Sequence, residues 1–469
     1  MKSKTRKNAI TFGTDGWRAV IGDDFTFENV RIVAQAVADY LKGKKQKRIV
    51  IGYDTRFLSR EFAEEVAMVG AAAGLKTVIS DRHVPTPVVS FNTRQGKYDL
   101  GIMITASHNP GKFNGIKIKT PEGGAADKQL TDKVERLLYK TPPHTIDPGG
   151  ARRKKLIVDG DLVTGYKKFL RSFVNIAKIR KLKLKVLIDL MHGAGGSFVE
   201  EIVGLKNMKI DYLRKEYNPS FGGMHPEPIE ENLAELMSRV KKEKYDLGFA
   251  LDGDADRIAL VDAQGHYIGA QIILPLLAVH CIKNRRAKAG IGKTVVGSNL
   301  IDNVALGLRA ECFETPVGFK YITNLFREKL ISIGGEEAGG IGFAGYIPER
   351  DGTAAFLMVL EMMASEGVSF ERLCRDLQKK YGRWYYQRTS IPLRSSQVNL
   401  DKLKPPSSLL GKPVTRINRL DGIKLIASDC WLMFRASGTE PIVRVYAEAQ
   451  SAKKTETLLT LGKKLINAL

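Results

Sequence analysis

Cysteine is scarce in this chain of 469 residues: the four that occur, Cys281, Cys312, Cys374 and Cys430, lie far apart, and none belongs to a C-x-x-C pair. That spacing argues against a disulfide framework and a thiolate zinc site, and it fits a reducing cytoplasm. Histidine is equally thin, seven residues scattered singly, which speaks against His-rich zinc chemistry. Long apolar runs are missing as well. Nothing approaches the roughly 18 residues needed to span a bilayer, and the stretch from Ala270 to Ile282 is broken by Gln271, Pro275 and His280. The basic start, Met1 to Asn8, leads into Ile10-Thr11-Phe12-Gly13 rather than an apolar segment with a cleavage site. No secretory signal is read there, and a cytoplasmic location is expected.

Acidic residues are outnumbered, 51 against 74 basic ones, for a formal charge of +23. Such a balance suits nucleic acid, an anionic surface or small acidic substrates, and charge alone does not choose among them. The basic clusters at 2–7, 152–155, 178–185 and 283–286 lack the interleaved aromatics of a single-strand binding platform. They are read as solvated faces or a loose N-terminal arm, with neither a nucleic-acid nor a membrane partner expected.

What is present is ordinary globular material, 43% hydrophobic and 27% charged, in a chain too long for one core. Short apolar runs stop abruptly at Gly-, Asp- or Ser-containing loops and give way to amphipathic stretches, the pattern of an α/β protein. Examples are Ile49-Val50-Ile51 before Gly52-Tyr53-Asp54, Val186-Leu187-Ile188 before Asp189, and Ile331-Ser332-Ile333 before Gly334. Val30, Val33, Val37 and Leu41 recur at helical spacing, as for a helix laid on a sheet. Functional side chains should then sit at strand ends. Tyr98-Asp99-Leu100-Gly101 and Tyr245-Asp246-Leu247-Gly248 each lead an apolar run into a polar loop, so two domains are expected to share one plan. Boundaries are expected in the stretch from Thr141 to Gly150, after the Asp256 loop, and near Tyr381 to Gly382.

Four loops carry the chemistry. Asp252, Asp254 and Asp256 alternate, so in extended backbone their carboxylates would project to one side. Each close pair would cost on the order of 4 kcal/mol at an effective dielectric of 20, a cost a bound cation removes. Oxygen-only ligation suits Mg²⁺ or Ca²⁺. An EF-hand is excluded by Arg257 at its sixth position and Ala263 at its twelfth, whereas a solvated Asp-rich turn stays open. In Thr105-Ala106-Ser107-His108-Asn109-Pro110, Ser107 is either a turn cap or a nucleophile able to carry phosphate, with Lys117 near enough to move a proton or offset charge. Gly334 to Gly340 brackets Glu336 and Glu337, a flexible charged turn or acceptors for sugar hydroxyls. Arg435 to Pro441 groups a guanidinium, two hydroxyls and a glycine, either a phosphate cradle or a capped helix start.

Taken together and in this order, the loops resemble the α-D-phosphohexomutase family, from Phe12-Gly13-Thr14-Asp15-Gly16-Trp17-Arg18 through to Pro441. The resemblance implies four domains around one cleft, three related α/β units and a C-terminal α+β domain, here divided as 1–150, 151–267, 268–381 and 382–469. It implies a mutase interconverting hexose 1-phosphate and hexose 6-phosphate through a phosphoserine and a hexose 1,6-bisphosphate, with one Mg²⁺ per chain. By the same matching Ser107 carries the phosphoryl group and joins Asp252, Asp254 and Asp256 at the metal. Arg18, His108 and Lys117 contact the transferring phosphate, and Arg257 helps beside the metal loop. Glu336 and position 338 face the sugar, Lys320 lies on a further ligand-facing loop, and Arg435, Ser437, Gly438 and Thr439 hold the phosphate that does not react. Ala338 stands where the family usually has serine, and Gly340 where some mannose-using relatives have histidine, which favours glucose. Phosphoglucosamine mutase, a phosphoserine-dependent sugar phosphatase and, from the charge alone, a nucleic-acid-binding protein are the rival readings.

Overall fold

The computed structural model describes residues 10–13, 15–43, 47–392, 400–436 and 442–469. The chain divides into two compact units, Met1–Ala270 with Ala338–Ser369, and Gln271–Glu337 with Phe370–Leu469.

In the first unit a six-stranded sheet places Trp17–Val20, Phe113–Lys119, Leu100–Ile104, Arg48–Tyr53, Lys76–Ser80 and Ile157–Gly160 side by side in that order. Arg48–Tyr53 runs parallel to both its neighbours, while Phe113–Lys119 returns antiparallel to Leu100–Ile104. Ile49, Val50 and Ile51 are all fully buried, as expected where helices cover both faces of a parallel sheet. The helix Phe27–Tyr40 buries Val30, Val33 and Val37, and Thr26 caps it by accepting from the Asn29 N–H. Such a cap stabilises a helix by about 1 kcal/mol. Trp17, Phe25 and Phe62 meet in sequence in the same core, tilted at a centroid distance of 4.8 Å and then edge-to-face at 4.7 Å.

A second sheet orders Tyr267–Ile268, Ile258–Asp262, Leu247–Leu251, Leu184–Asp189 and Met208–Leu213. Here the repeated Tyr-Asp-Leu-Gly shows its physical meaning. In the first sheet Arg48 lies over the Tyr98 ring at 4.7 Å, and its backbone N–H donates to Asp99 Oδ2 at 2.8 Å. In the second, Lys185 lies over Tyr245 at 4.0 Å and its N–H donates to Asp246 Oδ2 at 2.7 Å. Both aspartates also donate their own N–H to the carbonyl of that same basic residue. The glycine closes the motif, because a helix packs on it: a Cβ at Gly101 would lie 2.1 Å from Thr93 Oγ1, and one at Gly248 would lie 2.8 Å from Val240 Cγ2. Tyr-Asp-Leu-Gly is therefore a strand-start device that fixes register against the neighbouring strand. It recurs because Leu100–Ile104 and Leu247–Leu251 each lead into a functional loop.

The second unit begins with parallel strands Gly290–Thr294, Cys312–Thr315 and Ile331–Gly335. It ends with an antiparallel sheet ordered Tyr385–Pro392, Ile442–Ala449, Cys430–Ala436, Ile423–Ile426 and Arg416–Asn418. One face of that sheet buries Leu458 and Ile466 of the helix Ala452–Asn467. The other packs Trp431, Met433 and Tyr446 against Val295 and Val296. Glu448 Oε2 accepts from Trp431 Nε1 and from the Asn299 N–H, both at 2.8 Å. Lys424 donates to the Val295 carbonyl at 2.6 Å, and burial, then the nearby Lys293, pushes its ammonium down to about 8. Among the described residues no single helix is long and apolar enough to cross a membrane.

Candidate active site

The strands Leu100–Ile104 and Leu247–Leu251 lead into the loops that carry Ser107 and Asp252, and these loops meet. Ser107 is fully buried, with φ of 53°, a left-handed conformation unusual for serine. Its N–H donates to Thr105 Oγ1 at 2.9 Å, and its hydroxyl donates to Asp252 Oδ2 at 2.9 Å. The acidic trio converges, but not by the alternation of an extended strand. Ala255 sits at φ 56°, and Asp252 Oδ1 accepts the N–H groups of Asp256 at 2.9 Å and Arg257 at 3.1 Å. These bonds curl the segment into a turn that brings one oxygen of each carboxylate within 4.8 Å of the others.

Lys117, on the strand Phe113–Lys119, is buried and donates to Asp254 Oδ2 at 2.8 Å and Asp256 Oδ2 at 2.9 Å. It also lies 2.9 Å from Asp15 Oδ2. Burial would lower its pKa, but Asp15, Asp254 and Asp256 together outweigh burial and hold it firmly as an ammonium. In turn, Asp254 is held below the usual carboxylate range: burial opposes its ionisation, and Lys117 with Thr86 prevails. Asp252 behaves oppositely. Burial first, then repulsion from Asp254 and Asp256, pushes its carboxyl well above the ordinary value.

The three carboxylates repel one another across this short span. Asp254 Oδ1 and Asp256 Oδ1 are buried without a hydrogen-bond partner, a costly state that a cation would relieve. An all-carboxylate donor set suits a hard divalent cation such as Mg²⁺ or Ca²⁺. The residues present therefore fit a divalent ion.

Around this centre stand residues that sequence reasoning passed over. Thr86 holds Asp254 through a 2.5 Å hydroxyl bond and a 3.0 Å backbone bond to its carbonyl. Arg350 reaches both Asp15 at 2.5 Å and Asp256 at 2.9 Å. Lys119 pairs with Glu349 at 2.5 Å. Asp15 lies within the Phe12 to Arg18 motif; nothing local marks Thr86, between Pro85 and Pro87, or Arg350, ahead of the helix Gly352–Glu366.

Of the residues expected from the sequence, Arg18 donates to Asn109 Oδ1 at 2.8 Å, two residues past Ser107. Half-buried His108 follows Ser107 directly. Arg257 lies 3.4 Å from Glu227 and 3.9 Å from both Asp252 and Asp256. Ala338 begins the second segment of the first unit. Beside it, Gly339 has φ 100° and accepts through its carbonyl from the Ile258 N–H at 3.0 Å. A Cβ there would lie 2.5 Å from the Ile258 carbonyl oxygen. Gly339→Ala is therefore expected to destabilise the protein by about 2 kcal/mol or more, read as a lower midpoint in urea unfolding.

The second unit carries the remaining candidates. Glu336 is buried after the strand Ile331–Gly335, and Thr294 Oγ1 donates to Glu337 at 3.4 Å. Lys320 stands in the first turn of the helix Phe319–Arg327. Arg435 Nε donates to Asp421 at 2.8 Å, and the same carboxylate oxygen accepts the Val317 N–H at 2.9 Å, tying the Arg435 strand to the chain ahead of Lys320. Ser437, Gly438 and Thr439 lie outside the described residues. Their described flanks are strands, Cys430–Ala436 and Ile442–Ala449.

Comparison with known proteins agrees with this architecture. Four family models match in succession: phosphoglucomutase/phosphomannomutase α/β/α domains I, II and III at residues 9–143, 164–265 and 269–381, and the C-terminal domain at 398–460. A phosphoglucomutase/phosphomannomutase of Thermococcus kodakarensis is 31% identical over 97% of this chain and 98% of its own. A phosphoglucosamine/phosphogalactosamine mutase of Sulfurisphaera tokodaii is 29% identical over the same shares. The crystal structure of a phosphomannomutase candidate from Thermus thermophilus superposes with a TM-score of 0.87 at 32% identity, covering 98% of this chain and 99% of that one. Fold, site and relatives define a phosphohexomutase, an isomerase that moves a phosphoryl group within a sugar phosphate. The chain belongs to the phosphoglucomutase/phosphomannomutase family.

Proposed function

We propose that the chain interconverts the 1- and 6-phosphates of a hexose, glucose first and mannose second, through a phosphorylated Ser107 and a hexose 1,6-bisphosphate. One observation carries the reading. The Ser107 hydroxyl is bonded to Asp252 beside two buried carboxylate oxygens that lack a hydrogen-bond partner. Phospho-Ser107 would give its phosphoryl group to a free sugar hydroxyl: the Oγ–P bond breaks and a P–O bond to the sugar forms. Lys117, held as an ammonium, would hand a proton to the departing Ser107 oxygen and recover one from the attacking hydroxyl. The second half-reaction returns the other phosphate to Ser107.

Arg18 and His108 would steady the transferring group, and Arg257 would offset charge beside the trio. Bound by Asp252, Asp254, Asp256 and Ser107, Mg²⁺ would supply positive charge against the phosphoryl oxygens. We assign the sugar hydroxyls to Glu336 and position 338, and the non-reacting phosphate to Arg435, Ser437, Gly438 and Thr439, with Lys320 also on the substrate. The domain division 1–150, 151–267, 268–381 and 382–469 and a cytoplasmic setting belong to the same proposal.

Gly340, in place of histidine, supports glucose over mannose. The Sulfurisphaera relative supports a second reading, a phosphoglucosamine mutase. The test is phosphorus NMR of glucose, mannose and glucosamine 1-phosphates with magnesium and a trace of bisphosphate. Conversion of glucose 1-phosphate fastest, without inorganic phosphate, is the expected result. Faster turnover of either other sugar overturns the sugar assignment, and phosphate release in step with substrate loss replaces the mutase by a phosphatase. Ala338→Ser restores one hydroxyl, worth about 0.5–1.5 kcal/mol as a hydrogen bond. It is expected to raise kcat/KM for the preferred sugar about 3-fold to 10-fold, measured in the same assay.

A further inference from the structure

We infer that Arg56 is a positioning residue for phosphoryl transfer: it clamps the backbone of the Ser107 loop so that the serine hydroxyl is aimed at Asp252. This rests on the phosphoserine reading and adds a residue that acts through the backbone of Ser107 and its loop, with no assigned contact to sugar or metal.

Arg56 follows the strand Arg48–Tyr53 and is 1% exposed. A guanidinium has five N–H donors in a rigid fork, and here each has an acceptor. Nε donates to Asp54 Oδ2 at 3.2 Å. One terminal nitrogen donates to the carbonyls of Pro110 at 2.8 Å and Phe113 at 2.9 Å. The other donates to those of Ser107 and Asn109, both at 2.6 Å. Four of the five bonds thus hold backbone carbonyls of one loop, and the Phe221 ring covers the flat face at 4.7 Å.

The partner Asp54 holds the other side of the same serine. It accepts from Thr105 Oγ1 at 2.6 Å, and that hydroxyl oxygen accepts the Ser107 N–H at 2.9 Å. Ser107 is therefore gripped at its N–H through Asp54 and Thr105, and at its carbonyl through Arg56. This double grip explains how a non-glycine residue is kept at φ 53°. A left-handed serine released from it would relax toward ordinary backbone angles and carry its hydroxyl away from Asp252. Lysine, a point charge with three donors, cannot replace four carbonyl contacts spread along a loop.

The test compares wild type with Arg56→Lys and with the double variant Asp54→Asn/Arg56→Met, in which no lone charge is left buried. Wild type is first incubated with glucose 1,6-bisphosphate and weighed by intact mass spectrometry. Failure to phosphorylate Ser107 would sink the phosphoserine reading itself, and this inference with it, before any variant is compared. With wild type phosphorylated, both variants are expected to melt cooperatively and to keep KM within about 3-fold. Their kcat and the rate of Ser107 phosphorylation should fall together, on the order of 100-fold, the usual cost of a misplaced reacting group. A folded variant with kcat within about 3-fold of wild type would overturn the inference, as would KM rising at unchanged kcat. Loss of cooperative melting in both variants would also overturn it, since the cluster would then serve folding alone.

Discussion

Ser107→Ala is expected to reduce mutase turnover by at least about 10⁴-fold, the scale on which removal of a covalent nucleophile acts. The fold should hardly notice. The hydroxyl makes one neutral-donor bond, to Asp252, and such a bond contributes about 1 kcal/mol; the backbone bonds of Thr105 and Arg56 to residue 107 do not need the side chain. Two measurements suffice. Intact mass after incubation with a hexose 1,6-bisphosphate should show no added phosphoryl group, and a coupled assay should show isomerisation at background. Residual turnover above about 1% of wild type with an unmodified chain would remove Ser107 from the centre of the reaction.

The second large effect concerns the acidic trio. Wild type in magnesium at 100 times its dissociation constant gains about 2.7 kcal/mol of stability by mass action. Its melting temperature should therefore rise on adding magnesium and fall back with a chelator. Asp254→Asn preserves side-chain volume and the oxygen that Thr86 bonds, while withdrawing the charge that Lys117 and a cation both use. Lys117 keeps Asp15 and Asp256, so the variant should fold. Its magnesium-dependent thermal shift should vanish. Its kcat should fall by roughly 10³, since a bound metal contributes several kcal/mol at the transition state and each 1.36 kcal/mol is tenfold. An unaltered thermal shift in this variant would mean that the cation binds elsewhere.

The parts of this site that could be read from sequence are those written contiguously. Asp252, Asp254 and Asp256 announce themselves because they stand close together, and Ser107 because its loop is distinctive; both lie at strand ends, where an α/β reading puts chemistry. The geometry behind the trio was not legible. The turn at Ala255 is fixed by N–H bonds back to Asp252, and only coordinates reveal such bonds. Arg350 and Thr86 were invisible for another reason: each meets the trio from a distant segment, and long-range pairing leaves no local pattern. The repeated Tyr-Asp-Leu-Gly was visible as a string, but its cause, a basic residue stacked on the tyrosine, lies far upstream in both copies, at Arg48 for Tyr98 and Lys185 for Tyr245.

Trp17 is buried in the same core as the helix Phe27–Tyr40 in one compact unit, and Trp431 is buried against Val295 and Val296 in the other. Of the three tryptophans, Trp17 thus belongs to the first unit and Trp384 and Trp431 to the second, and Trp431 gives its indole N–H to a carboxylate whereas Trp17 has no such partner. Trp17→Phe leaves emission from the second unit alone, and the double change Trp384→Phe/Trp431→Phe leaves it from the first alone, a separate thermometer for each. Coincident transitions would mean that the halves unfold as one cooperative body, and separated ones that a half-melted species is populated between them.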